Sequence, residues 1–506
     1  MNTDVPQRSP PSAGREYAAA LALALALYLV SMAPGVLWQD GGMAQVRVLQ
    51  RDLHGDLGLA LSHPLYYVIA IAFQYLPFSD SAFKTNLVSA VFGAVTVANA
   101  YILLRLVTGG LRGAVVGALS LALAHAFWQQ CAMAEVYALS SALLTGELLC
   151  LWCYARTARP EWLVLLFGLN GLGVSNHLLA LLSLGCYALM MLALMMRRRV
   201  AWRWGAVCVP AWLVGAGLYL GMVVAELAAG AAVGETIRSA LFGNVYASQV
   251  LSFRLSPRLL ASSALYLALD FPTPIVLLAF PGVTVLRTAR QTVFTATVGA
   301  LLIVHLLWAV RYDVPDQYAF FFLAIVLIAI TVGLGADRFL RRRDGRWFGV
   351  LVAGALVPIA VYAALPPLAR SAGLRLGLAR TVPYRDEAAY FLRPWKTGYR
   401  GAERFAKEVD ATLPDGAVLF ADGTTAPPIH YRQLTGDWRN RARVFPPATR
   451  ADRAARTPGE DDLKDELAGR LVYVVTPLPG YCPMWLAGGY EFEEAGPIYR
   501  VARRKP

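Results

Sequence analysis

Asp40 lies between Trp38-Gln39 and the pair Gly41-Gly42, just beyond the first long apolar segment of the chain. A carboxylate at the rim of a membrane span is a candidate general base. Two glycines free the backbone there, and the tryptophan ring is expected at headgroup depth. The plainer alternative is that Asp40 caps the following helix while Gly41 and Gly42 supply the turn. Polar residues interrupt the apolar pattern again at His63, at Gln129, Gln130 and Glu135, at Asn176 and His177, and at Arg311, Asp313, Asp316 and Gln317. Ionisable groups at membrane depth are costly, so they tend to face a cavity and mark a reaction or transport path. Glu135 stands between two long apolar runs with no adjacent basic partner and requires some polar environment. His63, His177 and Arg311 can donate to phosphate oxygens. Equally, His63 can end a turn before Pro64, His177 can be a satisfied histidine at a helix junction, and Arg311 can snorkel to the interface. His125 and His305, inside apolar runs, are expected to pack.

The elements that must position these groups are membrane helices. The 506 residues are 57% hydrophobic and 16% charged, with mean hydropathy +0.49, too apolar for a soluble domain. The net charge of +13 gathers in short basic clusters between apolar runs, which follows the positive-inside rule and argues against nucleic acid as the partner. Apolar runs cover 17–33, 83–106, 114–132, 136–155, 162–175, 178–196, 204–226, 259–286, 293–310, 318–336 and 347–366, most of them near the ~20 residues of one crossing. With a cytoplasmic N-terminus, eleven crossings put Arg105 and Arg112, Arg156 and Arg159, Arg197 to Arg203, Arg287 and Arg290, and Arg338 to Arg346 on the cytoplasmic side. The C-terminus is then external, and the polar groups above share the external side. The apolar stretch Leu65–Leu76 is too short to cross and is expected to be a juxtamembrane or re-entrant helix, a short crossing being the alternative. Residues 225–257 form an external loop with Arg238 and Arg254, able to cover a cavity but by default solvent-exposed.

After the last run the composition becomes charged and soluble in character. A helical period at Ala402, Phe405, Ala406, Val409 and Leu413, strand-like 417–421, helix-like 461–467 and strand-like 471–475 predict a small α/β domain. Asp422-Gly423-Thr424-Thr425 follows a predicted strand as either a plain turn or a ligand loop. The expected fold is therefore a mostly α, polytopic membrane protein of about eleven spans plus a short juxtamembrane helix. Its units are a cytoplasmic tail 1–16, a transmembrane domain 17–370 with external loop 34–82, and an external α/β domain 384–506. HExxH, DxD and paired CxxC motifs are missing, so a metal centre is not indicated, although Asp40 with Glu135 could hold a divalent cation if the fold joins them. Five of the six cysteines lie in apolar runs and imply packing rather than a disulfide framework.

The segments Trp38-Gln39-Asp40-Gly41-Gly42, Ser62-His63-Pro64-Leu65-Tyr66, Phe127-Trp128-Gln129-Gln130-Cys131-Ala132-Met133-Ala134-Glu135-Val136-Tyr137-Ala138-Leu139 and Gly173-Val174-Ser175-Asn176-His177-Leu178, in this order and spacing, resemble the bacterial protein O-mannosyltransferase-like membrane proteins of the GT-C glycosyltransferase superfamily. Tyr312-Asp313-Val314-Pro315-Asp316-Gln317-Tyr318 adds a later landmark. The resemblance implies a bacterial inner-membrane enzyme that moves a sugar from a polyprenyl-phosphate carrier to a protein, lipid or glycan acceptor on the outer face. It implies that Asp40, in the first external loop, is the base or acceptor-positioning carboxylate, with Glu135 as the second acidic residue. The sequence departs from the usual His-Pro-Pro-Gly-Tyr form at His63-Pro64-Leu65-Tyr66-Tyr67, and carries Met43 where relatives often have an acidic residue.

The same chemistry follows from the reaction itself. Glycosyl transfer from a lipid phosphate builds positive character on the sugar and expels a phosphate, so the site needs a carboxylate near the acceptor hydroxyl and donors around the phosphate. Asp40 suits the first task, supported by Glu135; His63, His177 and Arg311 suit the second, with Gln130, Asn176 and Asp316 as further substrate contacts. A transporter or flippase of a lipid-linked sugar would use the same cavity without bond cleavage, although paired inverted halves are not evident. The C-terminal domain, without an acid, base or phosphate motif, is expected to shape acceptor use rather than chemistry.

Overall fold

The computed structural model describes residues 13–244, 247–288, 292–374, 376–377, 380–447 and 457–505; most of the predicted N-terminal tail, and Arg290, lie outside them. The chain is mostly helical. In order it forms α1 (Ala13–Ser31), α2 (Gln39–Gln50), α3 (Pro64–Phe73), α4 (Ser81–Thr108), α5 (Leu111–Ala122), α6 (His125–Cys131), α7 (Tyr137–Thr157), α8 (Glu161–Asn176) and α9 (Ala180–Met196). There follow α10 (Trp202–Gly215), α11 (Gly217–Ala228), α12 (Val233–Phe242), α13 (Ala247–Leu251), α14 (Pro257–Asp270), α15 (Ala279–Thr288), α16 (Thr292–Arg311), α17 (Gln317–Phe320), α18 (Phe322–Leu340) and α19 (Gly345–Ser371).

Six described helices are long and apolar enough to cross a membrane, and nine if each bent pair is one span. The bends are 68° between α5 and α6, 69° between α10 and α11, and 102° after α14. These breaks are the main departure from a picture of straight spans, and the first has a visible cause. At the α5–α6 break the freed N–H of Ala126 is taken up by the buried Asp270 carboxylate at 2.6 Å, which allows the chain to turn inside the membrane without an orphaned donor. The predicted short helix is α3, beginning at Pro64, where the missing N–H costs nothing.

Helices in lipid gain little from burying apolar surface against each other, so close backbone approach through small residues decides their packing. A Cβ on Gly171 would sit 2.2 Å from the Trp212 carbonyl oxygen, so α8 and α10 touch main chain to main chain; Gly282 and Gly335 do the same for α15 and α18.

Beyond α19 come α20 (Glu387–Leu392), α21 (Gly401–Thr412), α22 (Ala426–Leu434) and a five-stranded sheet. Its strands are β1 (Val418–Phe420), β2 (Arg443–Phe445), β3 (Val472–Val474), β4 (Tyr490–Ala495) and β5 (Ile498–Arg504), in the order β2-β1-β3-β5-β4. β1 pairs in parallel with β2 and β3, while β5 runs antiparallel to β3 and β4. The three parallel strands alternate between two apolar layers. Val418, Phe420, Val472 and Val474 pack with Leu463 and Leu486, whereas Leu419, Val444 and Tyr473 join the core that contains Phe405, Trp38 and the membrane helices. The domain meets the segment that carries Asp40 through the turn after β1, whose Thr424 carbonyl accepts the Gln39 N–H, and through Pro427 of α22 against Gly42.

Candidate active site

Asp40 stands in the first turn of α2, and the segment delivering it is held on several sides. Asn86, fully buried in α4, donates to the carbonyls of Ala33 (2.9 Å) and Gly35 (3.0 Å). Gln45, also fully buried, accepts the Leu37 N–H at 3.0 Å and donates to Asn86 Oδ1 at 2.9 Å. Trp38 is 1% exposed, its Nε1–H donating to Tyr399 at 2.5 Å and its ring 5.2 Å from Phe405. The ring is therefore not presented to lipid headgroups, because the C-terminal elements cover it. Gln39 adopts a left-handed φ of 52°, which a non-glycine residue holds only under constraint. The constraint is visible. Its N–H donates to the Thr424 carbonyl at 3.3 Å, and its Oε1 accepts from Arg385 Nη1 at 3.0 Å.

The capping alternative for Asp40 also fails, since the N-cap residue is Trp38 and no side chain caps the helix. Gly41 and Gly42 are helical rather than turn residues. A Cβ on Gly42 would lie 2.3 Å from the Leu37 carbonyl oxygen and 2.9 Å from Pro427 Cβ, so the glycine permits α2 to wedge between its own entry turn and α22.

Asp40 lines a cavity of about 560 Å³ together with Gln130, Glu135, Asp316, His63, His177, Arg47 and Arg311. Tyr67, Tyr137 and Tyr318 add hydroxyls, and Leu241, Leu251, Phe253 and Trp308 form an apolar part of the wall. Among the described residues no hydrogen bond or ion pair engages the Asp40 carboxylate, which is exposed to a cavity that is partly open and walled by protein. Removal from bulk water raises its pKa. Burial, then the Asp40 charge, pushes Asp316 up to about 6; burial, then Asp40 and Asp316, lifts Glu135 well above the ordinary carboxylate range. The Asp40 charge thus favours the protonated forms of Asp316 and Glu135. Burial lowers His63 to about 4, with the nearby Arg47 charge adding to it, and lowers His177 well below its usual value. Both rings are neutral at pH 7.

Seven of the eight residues predicted for the site line this cavity, and Asn176 does not. Its buried amide donates to Val136 O (2.9 Å) and Ser140 Oγ (2.8 Å), tying α8 to the start of α7, so its part is structural. Arg311 is neither snorkelled nor free. Nη1 donates to the carbonyls of Val250 (2.9 Å) and Ser252 (2.5 Å), and the guanidinium lies 4.0 Å over Trp308 and 4.8 Å over Phe253. The segment between α11 and α14 consequently lines the cavity through α12, α13 and Phe253 instead of standing open. Gln129 and Gln317 make structural contacts to Tyr390 O and to the carbonyls of Ala309 and Val310. His305 is hydrogen-bonded to Ser183 at 3.0 Å, and His125 packs on Tyr362.

Arg47 was missed from the sequence. Asp40, Met43, Ala44 and Arg47 all line the cavity at the three- and four-residue spacing of one helix face, so reading 39–50 as a helix would have found it. Its guanidinium rests 3.7 Å over Tyr67 and donates to Ser62 O at 2.9 Å. Among the described residues no group of three or more His, Cys, Asp or Glu is placed to hold a metal ion, and the cation considered for Asp40 and Glu135 gains no such set of ligands. The Asp422–Thr425 segment is a turn. Asp422 Oδ1 accepts from Thr424 N–H (2.8 Å) and Thr425 N–H (3.3 Å), its other oxygen pairs with Arg380, and the turn docks on Gln39.

Comparison with solved structures gives ArnT from Cupriavidus metallidurans bound to undecaprenyl phosphate, 15% identical, with a TM-score of 0.62 over 97% of this chain and 98% of that one. The apo state of the same protein gives 15% identity and a TM-score of 0.60 over the same shares. This is the fold of the GT-C glycosyltransferases. Residues 62–200 match the family model of the protein O-mannosyl-transferase TMEM260 N-terminal domain, the stretch that carries His63, Gln130, Glu135 and His177. No match was found among curated proteins. The chain is an integral membrane protein with the GT-C fold, and the family match over residues 62–200 agrees with the glycosyltransferase class that its sequence indicates.

Proposed function

We propose that this GT-C protein transfers a sugar from a polyprenyl-phosphate-linked donor to an acceptor on the external face of a bacterial inner membrane. The observation that carries this reading is the cavity. Three carboxyls with raised pKa values, two neutral histidines and two arginines meet in one space whose wall is otherwise largely apolar, a composition suited to a sugar, a phosphate and the start of an isoprenoid chain. The ArnT structure of the same fold holds undecaprenyl phosphate, which agrees with a lipid-phosphate donor here. Asp40 takes or orients the acceptor proton: it stands on a segment held on several sides, and among the described residues its carboxylate has no hydrogen-bond or ion-pair partner. Glu135 supports it, and Gln130 and Asp316 contact substrate. Arg47 and the remaining nitrogens of Arg311 face the departing phosphate, because a charge-assisted donor stabilises the anion as it leaves.

Eleven crossings fit this proposal. The apolar runs fall on helices, up to nine of which, as single helices or bent pairs among the described residues, are long and apolar enough to cross, and the alternation of basic clusters supports counting the shorter α8 and α9 as two more. Residues 17–370 then form the membrane domain and 384–506 an external domain lying over its site. Supplying purified protein with polyprenyl-phosphate mannose and candidate acceptors tests the reaction. Release of polyprenyl phosphate is expected, and movement of intact donor across a bilayer without release would favour a transporter.

A further inference from the structure

His63 and His177 stack in the cavity wall, with ring centroids 4.9 Å apart and planes inclined by 21°. Each commits one ring nitrogen to backbone, and the two commitments are opposite in sense. Nδ1 of His63 lies 2.8 Å from the Asn176 carbonyl oxygen, which can only accept, so this nitrogen carries the proton and Nε2 is left as a lone pair. Nδ1 of His177 receives the Leu179 N–H at 3.1 Å, so here Nδ1 is the bare nitrogen and the proton sits on Nε2. Neither Nε2 has a protein partner among the described residues. The wall therefore presents one acceptor and one donor on adjacent rings.

That combination discriminates between ligands. A phosphate oxygen only accepts, so it would bond His177 but face the lone pair of His63. A hydroxyl both donates and accepts, and satisfies the two nitrogens together. We propose that His63 and His177 jointly bind a hydroxyl of the transferred sugar, His63 Nε2 accepting from it and His177 Nε2–H donating to it. The assignment rests on the glycosyl-transfer reading and moves both histidines away from the phosphate, which the arginines serve. Asn176, although outside the cavity, acts through its carbonyl by fixing the His63 tautomer.

Asparagine reproduces the Nδ1 position of histidine and has nothing at Nε2. His63→Asn thus keeps a donor for the Asn176 carbonyl, and His177→Asn keeps an acceptor for the Leu179 N–H. Equilibrium binding of short-chain polyprenyl-phosphate mannose and of bare polyprenyl phosphate is measured for the full-length protein and both variants. Each variant should bind the sugar-bearing lipid about three- to tenfold more weakly, the worth of one neutral hydrogen bond, while binding the bare lipid as before. Unchanged affinity for the bare lipid also shows that the cavity is intact. His177→Gln, whose amide N–H reaches the Nε2 position, should restore sugar binding. A single-deoxy donor lacking the bound hydroxyl should bind the wild type more weakly yet show no further loss in either variant. Equal weakening of both lipids would make the pair a phosphate contact and overturn the proposal, as would no change in either. A change confined to the KM of the acceptor would assign the hydroxyl to the acceptor and overturn it as well. Binding remains measurable even if the wild type releases no sugar, so failure of the transfer reaction is distinguishable from failure of this assignment.

Discussion

Gly42→Ala should cost turnover although the same exchange ordinarily stabilises a helix. Alanine improves helix propensity by about 1 kcal/mol. At Gly42, however, the added Cβ would lie 2.3 Å from the Leu37 carbonyl oxygen and 2.9 Å from Pro427 Cβ, against 3.4–4 Å for ordinary contact, so α2 must move by about 1 Å. It has little room to do so, because Asn86 and Gln45 fix the entry turn and α22 blocks the other side. Overpacking of this kind costs about 1–3 kcal/mol, enough to outweigh the propensity gain. A ~1 Å misplacement of a catalytic group can lower the rate by about 10²-fold. Gly299→Ala in α16, where a Cβ meets nothing within 4 Å, is the control. Polyprenyl phosphate release and thermal melting are measured on both variants in detergent. Gly42→Ala should lose about 10²-fold in turnover and melt earlier, with Gly299→Ala unchanged or slightly stabilised. Wild-type turnover in Gly42→Ala would refute the claim that close packing at this glycine places Asp40.

The carboxyl cluster should set the acid limb of the rate, so kcat/KM rises through about pH 6, where Asp316 titrates, instead of near 4; a limb at pH 4 would contradict the raised carboxyl pKa. The stability sign is opposite. A folded-state pKa raised above the unfolded value gives stability that is present below the unfolded pKa of about 4 and is lost as pH rises through about 6. Asp316→Asn should therefore raise the melting temperature at pH 8 but not at pH 4. Removing 384–506 should abolish donor hydrolysis along with acceptor transfer, because Thr424, Arg385 and Pro427 brace Gln39 and Gly42; hydrolysis at wild-type rate in a folded truncation would separate the domain from the chemistry. A topology reporter fused after Arg199 should be cytoplasmic and one after Pro383 external, and both on one side would sink the eleven-crossing arrangement.

The mostly helical membrane character was legible because apolar run length acts locally, and six described helices, or nine spans with the bent pairs, are long and apolar enough to cross. The bends were not, since the α5–α6 break depends on a carboxylate from Asp270, far away in sequence, to receive the Ala126 N–H. Asp40, Glu135, Gln130, Asp316 and the two histidines could be picked out because ionisable or amide groups beside apolar runs need a polar cavity. Arg47 was hidden by the paired glycines of α2, whose low helix propensity masks a helix that tertiary packing enforces. The burial of Trp38 was hidden for a related reason. Its ring suits an interface, but its partners Tyr399 and Phe405 lie in the C-terminal part of the chain, and no local pattern announces that contact. The structural part of Asn176 likewise became visible only when α7 and α8 were seen together.

Replacing Asp40 by asparagine tests the central claim most directly. The amide keeps the size of the side chain and its place in the first turn of α2, but cannot take a proton or carry the negative charge. Turnover of polyprenyl-phosphate mannose should fall by the ~10²–10⁴ typical of a lost general base, while donor affinity, set by the arginines and the histidine pair, changes little. Near-normal turnover in Asp40→Asn would remove Asp40 from the chemistry and contradict the account, leaving Glu135 as the carboxylate to examine next.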